Sequence, residues 1–379
     1  MSNTVALLSK YPPLEGGIAA KTYWLAKGLA SRGYKVHIIT HATGAGRAYE
    51  IQDDNRHPTI EGNLWVHRPQ YEMPWHIPED QEQTLALLDL TIKVIREHGV
   101  QILDTGYLLP YGIIGHLAKL STGVHHVMRH GGSDLEKFLK GGILGTVLKE
   151  AISKSDVVIT DKWYRHTLES INPHIVCQPS YVPDGSAFKP NINREPRYRL
   201  AAIGKINYYW QHKGLHLVAE IMQKLKEKFE CWIVGQGNGI SDFQRSLGSQ
   251  TVSSIDWRPF VPPWKMPDLL HQLDGVFIFE SGLPHSTTSN LALEALCSGL
   301  GIITDRSDFI ERYKDLMSIN RDRVLVVSPS EPSSAAEAIV RWIQDQAYPR
   351  QPSRQLVTYG GYLSSNEAVY AGILAQHRP

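Results

Sequence analysis

Cysteine is scarce. Only Cys177, Cys231 and Cys297 occur in 379 residues, far apart and with no CxxC pair. That spacing indicates neither a disulfide framework nor a zinc site, and it fits a reducing compartment. Excess charge is also missing, since the formal net charge is +1. A nucleic-acid-binding protein would show a basic surplus. No apolar run is long enough to span a bilayer. The opening "MSNTVALLSKYPP" lacks the basic and apolar regions of a signal peptide. These features predict a cytoplasmic protein. Contact with the inner face of a membrane stays open.

Several catalytic signatures are missing too. No GxGxxG follows the first strand, and "GQGNGI" has the wrong spacing, so a nicotinamide-binding turn is unsupported. GxxxxGK[ST] and GxSxG do not occur, which removes a P-loop and a hydrolase nucleophile elbow. Asp-x-Asp is absent, and no histidine cluster with metal-ligand spacing is read.

What the chain does have is alternation. Short β-rich runs ("TVALLS", "KVHIIT", "NLWVHR", "VQILDT", "HHVMRH", "DVVIT", "HIVCQP") are interleaved with helical patterns such as 81–98 and 143–153. This predicts a parallel sheet flanked by helices. "PSYVPDGSAFKPNINREPRY" reads as a linker. A second series follows ("RLAAIGK", "ECWIVG", "IDWRPF", "GVFIFE", "GIITD", "RVLVVS"), with helical patterns at 214–228, 288–298 and 333–346. The expectation is an α/β protein with two doubly wound, Rossmann-like domains facing across a cleft. Residues 1–188 form the first and 197–355 the second. Ligands of such sheets sit at the carboxyl ends of the strands.

Four stretches carry candidate chemistry. "YPPLEGGIAAKTYW", residues 11–24, joins the first strand to a helix through Gly16 and Gly17. Glycines permit close backbone approach, and a helix N-terminus offers N–H groups to an anion. The alternative is an ordinary tight βα turn. "IGKINYYWQHKG" places Lys205 and Lys213 on either side of a strand-to-helix loop, where they could hold a diphosphate by charge. Two solvated surface lysines are the plain alternative. "STTSNLALEALCSG" offers hydroxyls at Ser286, Thr287 and Thr288 before a helix that contains Glu294. A buried acid there needs a partner, which a ribose diol or a nearby cation could supply. "VMRHGGSDLEKF" puts His130 at a strand end, either toward substrate or as a helix cap.

Taken jointly and in order, these stretches resemble the family 4 retaining glycosyltransferases of the GT-B fold. The resemblance rests on "YPPLEGGIAAKTYWLAKGLASRGYKVHIIT", "YVPDGSAFKP", "IGK…KGLHLV" and "LALEALCSGLGIIT", and it runs to about residue 345. It implies transfer of a sugar from a nucleotide donor, UDP-linked first and GDP-linked next, to an acceptor hydroxyl with retention. The donor would be held by the second domain. The acceptor would be a carbohydrate, a lipid-linked group or a small molecule. Polysaccharide or glycolipid biosynthesis is the implied setting.

The resemblance also implies roles for residues. Gly16 and Gly17 would approach the donor phosphates. Lys205 and Lys213 would neutralise the diphosphate. Thr287 and Thr288 would bond phosphate, Glu294 would hold the ribose, and His130 would lie near the transferred sugar. The base would sit near Arg258 to Val261. A last helix, about 360–379, would pack back on the first domain. Neither metal nor bound cofactor is required. Two departures stand out: Lys205 replaces a family arginine, and Ser286 replaces a family acid that Glu280 could stand in for. They leave open a degenerate protein that binds nucleotide, glycan or a partner without transfer.

Overall fold

The structure is a computed structural model that describes residues 3–42, 47–51, 63–70, 81–139, 141–190, 197–208, 210–280, 288–345 and 353–376. The chain divides into two compact units. The first comprises Met1–Glu50, Arg56–Tyr181 and Gly360–Pro379; the second comprises Ile51–Asn55 and Val182–Tyr359.

In the first unit strands and helices alternate. They run β1 (Thr4–Leu8), α1 (Gly17–Ser31), β2 (Lys35–Ile39), β3 (Leu64–His67), α2 (Gln81–His98), β4 (Ile102–Gly106) and α3 (Ile113–Thr122). Then come β5 (His125–Arg129), α4 (Ser133–Phe138), α5 (Gly142–Lys154), β6 (Val157–Thr160), α6 (Arg165–Glu169) and β7 (Ile175–Cys177). The sheet order is β3-β2-β1-β4-β5-β6-β7, and every pairing is parallel. All five residues of β1 are buried. Helices on both faces of a parallel sheet require such continuous apolar strands.

The second unit repeats the plan. Its elements begin β8 (Arg199–Ile203), α7 (Leu215–Leu225), β9 (Glu230–Val234), α8 (Ile240–Ser246), α9 (Ser249–Ser253), β10 (Asp256–Arg258), α10 (Met266–Leu270) and β11 (Gly275–Ile278). They continue with α11 (Asn290–Cys297), β12 (Gly301–Thr304), α12 (Phe309–Tyr313), β13 (Met317–Ser318), β14 (Val324–Val326), α13 (Pro332–Asp345) and β15 (Arg354–Gln355). The parallel sheet runs β10-β9-β8-β11-β12-β14, while β13 and β15 form a small antiparallel pair. The core packs α7 and α13 on this sheet through Ile221, Met222, Ile339 and Ile343.

The last helix, α14 (Tyr359–Gln376), belongs almost wholly to the first unit. Arg32 at the end of α1 donates to the Gly360 carbonyl and pairs with Glu367. Deeper down, Arg129 of β5 holds Asp104 of β4 in a fork, with contacts of 2.7, 3.0 and 2.7 Å. Tyr370 donates to Asp104 Oδ2 at 2.6 Å, and Arg129 donates to the Asn366 amide oxygen. Gln178 also donates to that oxygen, at 2.9 Å. Burial alone would lower the Arg129 pKa, but the Asp104 charge outweighs it and the pKa rises. The helix is thus held by a buried, hydrogen-bonded ion pair.

Candidate active site

In each sheet the chain order reverses once, between β1 and β4 and between β8 and β11. Doubly wound sheets bind ligands at the carboxyl ends of the strands beside such a reversal.

In the first unit a cavity of about 60 Å³ lies there. Its floor comes from the residues that end or follow β1, β4, β5, β6 and β7, and α1 supplies one wall. Gly16 shapes the entry to α1. It caps the helix with φ 128°, a conformation suited to glycine. Gly17 is exposed at the first helical position. One turn on, Lys21 and Thr22 face the cavity. The Thr22 hydroxyl lies 3.0 Å from that of Ser9, which donates to the Gly106 carbonyl at 3.2 Å and so bridges the reversal point. The Lys21 ammonium donates to Ser180 Oγ at 2.9 Å. Burial lowers its pKa to about 8, against the pull of Asp161 and Asp134.

His130 lines the same cavity, and both its ring nitrogens are engaged. Nδ1 accepts from the Gly132 N–H at 3.1 Å, so Nε2 carries the proton and donates to Thr160 Oγ1 at 2.7 Å. Thr160 in turn donates to the Asp161 carbonyl. Burial, with a smaller push from Lys21, lowers the imidazole pKa to about 3. His130 is therefore a neutral ring that braces the turn before α4 while lining the cavity. Asp134 fixes the rest of that turn by accepting from the N–H groups of Leu108, Gly131 and Leu135. A Cβ at Gly131 would come within 2.8 Å of the Tyr107 ring, which explains the glycine.

In the second unit the loops after β8 and β9 are zipped together. Ile206 donates to the Gln236 carbonyl at 3.0 Å, and Gly239 donates to that of Ile206 at 3.0 Å. Cβ atoms at Gly235 and Gly239 would sit 2.1 and 2.2 Å from the carbonyl oxygens of Gly204 and Asn207. Gly235 and Gly239 of "GQGNGI" therefore serve close backbone packing, and Gly237 has φ 146°. Lys205 follows β8, and Lys213 Nζ donates to its carbonyl at 2.9 Å. The structure thus brings the two lysines into contact. Gly214 then starts α7 with φ 61°, and a Cβ there would lie 3.2 Å from Phe279. This loop consequently packs against the segment that follows β11, across the chain reversal.

Glu294 is buried in α11. The helix is capped by Ser289, whose Oγ accepts from the Ala292 N–H, and Thr288 stands just before it. Ser286 and Thr287 lie outside the described residues. Glu280, at the other end of that stretch, is buried, and its pKa is pushed up to about 7 by desolvation, against the pull of Arg312 and Arg306. Its Oε2 has no hydrogen-bond partner among the described residues. Arg258 and Val261 share a separate pocket of about 440 Å³ at the ends of β9 and β10. The Arg258 guanidinium pairs with Asp256 at 2.6 Å and stacks 3.4 Å from the Trp232 ring centre. It is already committed to protein partners.

Sequence reasoning did not single out Lys21, Thr22, Asp104, Asp161 or Gln178. A usable signal existed: Asp161 directly follows a predicted strand, Gln178 lies at the end of another, and Lys21 and Thr22 fall one turn into the first helix.

Comparison with known proteins places this geometry. Residues 197–345 match the family model of group 1 glycosyl transferases. The N-acetyl-alpha-D-glucosaminyl L-malate synthase of Bacillus anthracis is 26% identical over 176 residues, covering 45% of this chain and 42% of that protein. The matched stretch thus spans less than half of that relative. Sucrose-phosphate synthase of Thermosynechococcus elongatus superposes with a TM-score of 0.65 at 16% identity, over 99% of this chain and 97% of the other. Anabaena HepE, solved in complex with UDP-glucose, gives 0.62 at 12% identity, over 98% and 97%. The fold is GT-B, as expected from the sequence.

Proposed function

We propose that the protein is a retaining glycosyltransferase of the family 4 type, transferring a hexose-type sugar from a nucleotide donor to an acceptor hydroxyl. The observation that carries this reading is the position of the matched family segment. Residues 197–345 contain the braced Lys205–Lys213 pair and the buried Glu294. HepE has been solved with UDP-glucose, which favours a UDP-linked donor over a GDP-linked one. The malate-synthase relative carries a small-molecule acceptor in its name, so such an acceptor joins carbohydrate and lipid-linked ones as a candidate. Polysaccharide or other glycoconjugate biosynthesis remains the proposed setting.

In this scheme the bond from the sugar C1 to the diphosphate oxygen breaks, and a bond from C1 to the acceptor oxygen forms on the same face. The acceptor proton passes to the departing phosphate oxygen. Lys205 and Lys213 stabilise the negative charge that develops on the diphosphate, which is where preorganised cations act most strongly. The α11 N-terminus beside Thr288 adds donors of the same kind. Glu294 takes the ribose hydroxyls. His130, neutral and with both nitrogens engaged, contributes shape rather than proton transfer. Arg258 and Val261 offer one wall for the base.

The test is transfer itself. Purified protein is incubated with UDP-glucose or UDP-N-acetylglucosamine and a panel of acceptors that includes malate and simple glycosides. UDP release and the product's anomeric proton signal are followed. The reading expects acceptor-dependent UDP release and a product with the donor's anomeric configuration. An inverted product, or the absence of release with every donor and acceptor, contradicts it.

A further inference from the structure

Three histidines far apart in sequence meet at one edge of the first unit. His37 lies on β2, His67 on the edge strand β3, and His98 is the last residue of α2. Strand register pairs His37 with Trp65 and Ile39 with His67, so these four residues share one sheet face. Ile39 shares one apolar core with Leu87 and Val94 of α2, which places that helix over the same face. One ring nitrogen from each histidine lies within 4.8 Å of the other two. His37 Nδ1 and His67 Nε2 are 3.0 Å apart. The His37 ring stacks on His98 at 4.3 Å and on Trp65 at 4.8 Å.

We propose that His37, His67 and His98 form a binding site for a divalent transition-metal ion, zinc above all. Imidazole nitrogens suit zinc, copper and nickel, and three of them leave one position for water. Nitrogens bound to one tetrahedral zinc at about 2.0 Å stand roughly 3.3 Å apart, so the His37–His67 separation of 3.0 Å already fits, while the stacked His37 and His98 rings must turn to aim their nitrogens at one point. His37 is buried, which fixes one ligand, while His98 is exposed, which leaves the ion a route from solvent. Without metal, one ring of the His37–His67 pair donates to the other. Binding turns both lone pairs to the ion, and the donor's N–H shifts to its other ring nitrogen. Glu97 is the nearby carboxylate and Lys35 the nearby cation. Such a site would fasten the edge strand to the end of α2. It is independent of the donor site proposed above.

The experiment titrates the full chain with zinc chloride calorimetrically and with cobalt(II) by visible absorption. Wild-type protein is expected to take up one ion per chain, with cobalt bands of four-coordinate intensity. His98→Gln changes an exposed helix-end residue and leaves the core intact. It is expected to bind at least about 100-fold more weakly, because loss of a ligand costs no less than loss of an outer-shell partner, which alone costs roughly 10–100-fold. His166→Gln, an exposed histidine elsewhere, is expected to bind as wild type does. No uptake by wild-type protein, or equal uptake by His98→Gln, overturns the proposal.

Discussion

Lys21 projects from α1 into the first unit's cavity, where burial lowers its ammonium pKa to about 8. The folded chain therefore holds this proton less tightly than the unfolded chain does. Between pH 8 and the ordinary lysine value near 10.5, the unfolded state binds more protons, so this group's contribution to stability rises with pH. Below pH 8 the full cost of the buried charge is present. Lys21→Met should therefore be more stable than wild type by an amount of order 2 kcal/mol at pH 7. That advantage should shrink toward pH 10.5. Urea denaturation of both proteins across this range measures it, and a difference that does not vary with pH would contradict the assignment. The cost of carrying a buried charge is what a site that needs a cation would retain. Sequence showed the lysine but not its setting, because a helix pattern does not reveal what lies opposite.

At the scale of elements, the fastening of α14 is the clearest consequence. Asp104 receives Arg129 and Tyr370 together, with only 2% of its side chain exposed. Removing one partner of a buried ion pair strands the other charge. Asp104→Ala should cost about 3–5 kcal/mol. Chemical denaturation checks the magnitude, and limited proteolysis should show α14 cut first. A loss below about 1 kcal/mol would mean that packing, not the ion pair, holds the helix. A last helix at about 360–379 was expected from the family resemblance. Its partners were not, because Asp104 and Arg129 sit within runs that otherwise read as apolar strands. The same holds for "GQGNGI". Its spacing spoke against a nicotinamide site, but what Gly235 and Gly239 do there depends on the carbonyls of Gly204 and Asn207, some thirty residues earlier.

For the whole molecule, the two series of alternating strands were readable because buried parallel strands must be apolar throughout. Residues close in sequence were legible as neighbours: Lys213 reaches the Lys205 carbonyl, and Thr288 precedes the cap of α11. Constellations assembled by topology were hidden. His37, His67 and His98 carry no spacing motif, and only the register of β2 with β3 and the end of α2 unite them. His130 was read at a strand end with a substrate contact and a cap role both open; it lines the cavity, and the engagement of both its nitrogens by Gly132 and Thr160 was not visible in the sequence.

The central claim is that the second unit holds a nucleotide diphosphate through Lys213. Calorimetric titration of UDP, GDP and ADP into wild-type protein and Lys213→Ala tests it most directly. The account predicts that one nucleotide, UDP first, binds the wild type. It predicts a loss of about 1.5–3 kcal/mol in the variant, as expected when a charge-assisted contact is removed. Equal binding by both proteins, or no binding of any of the three nucleotides by the wild type, would contradict it.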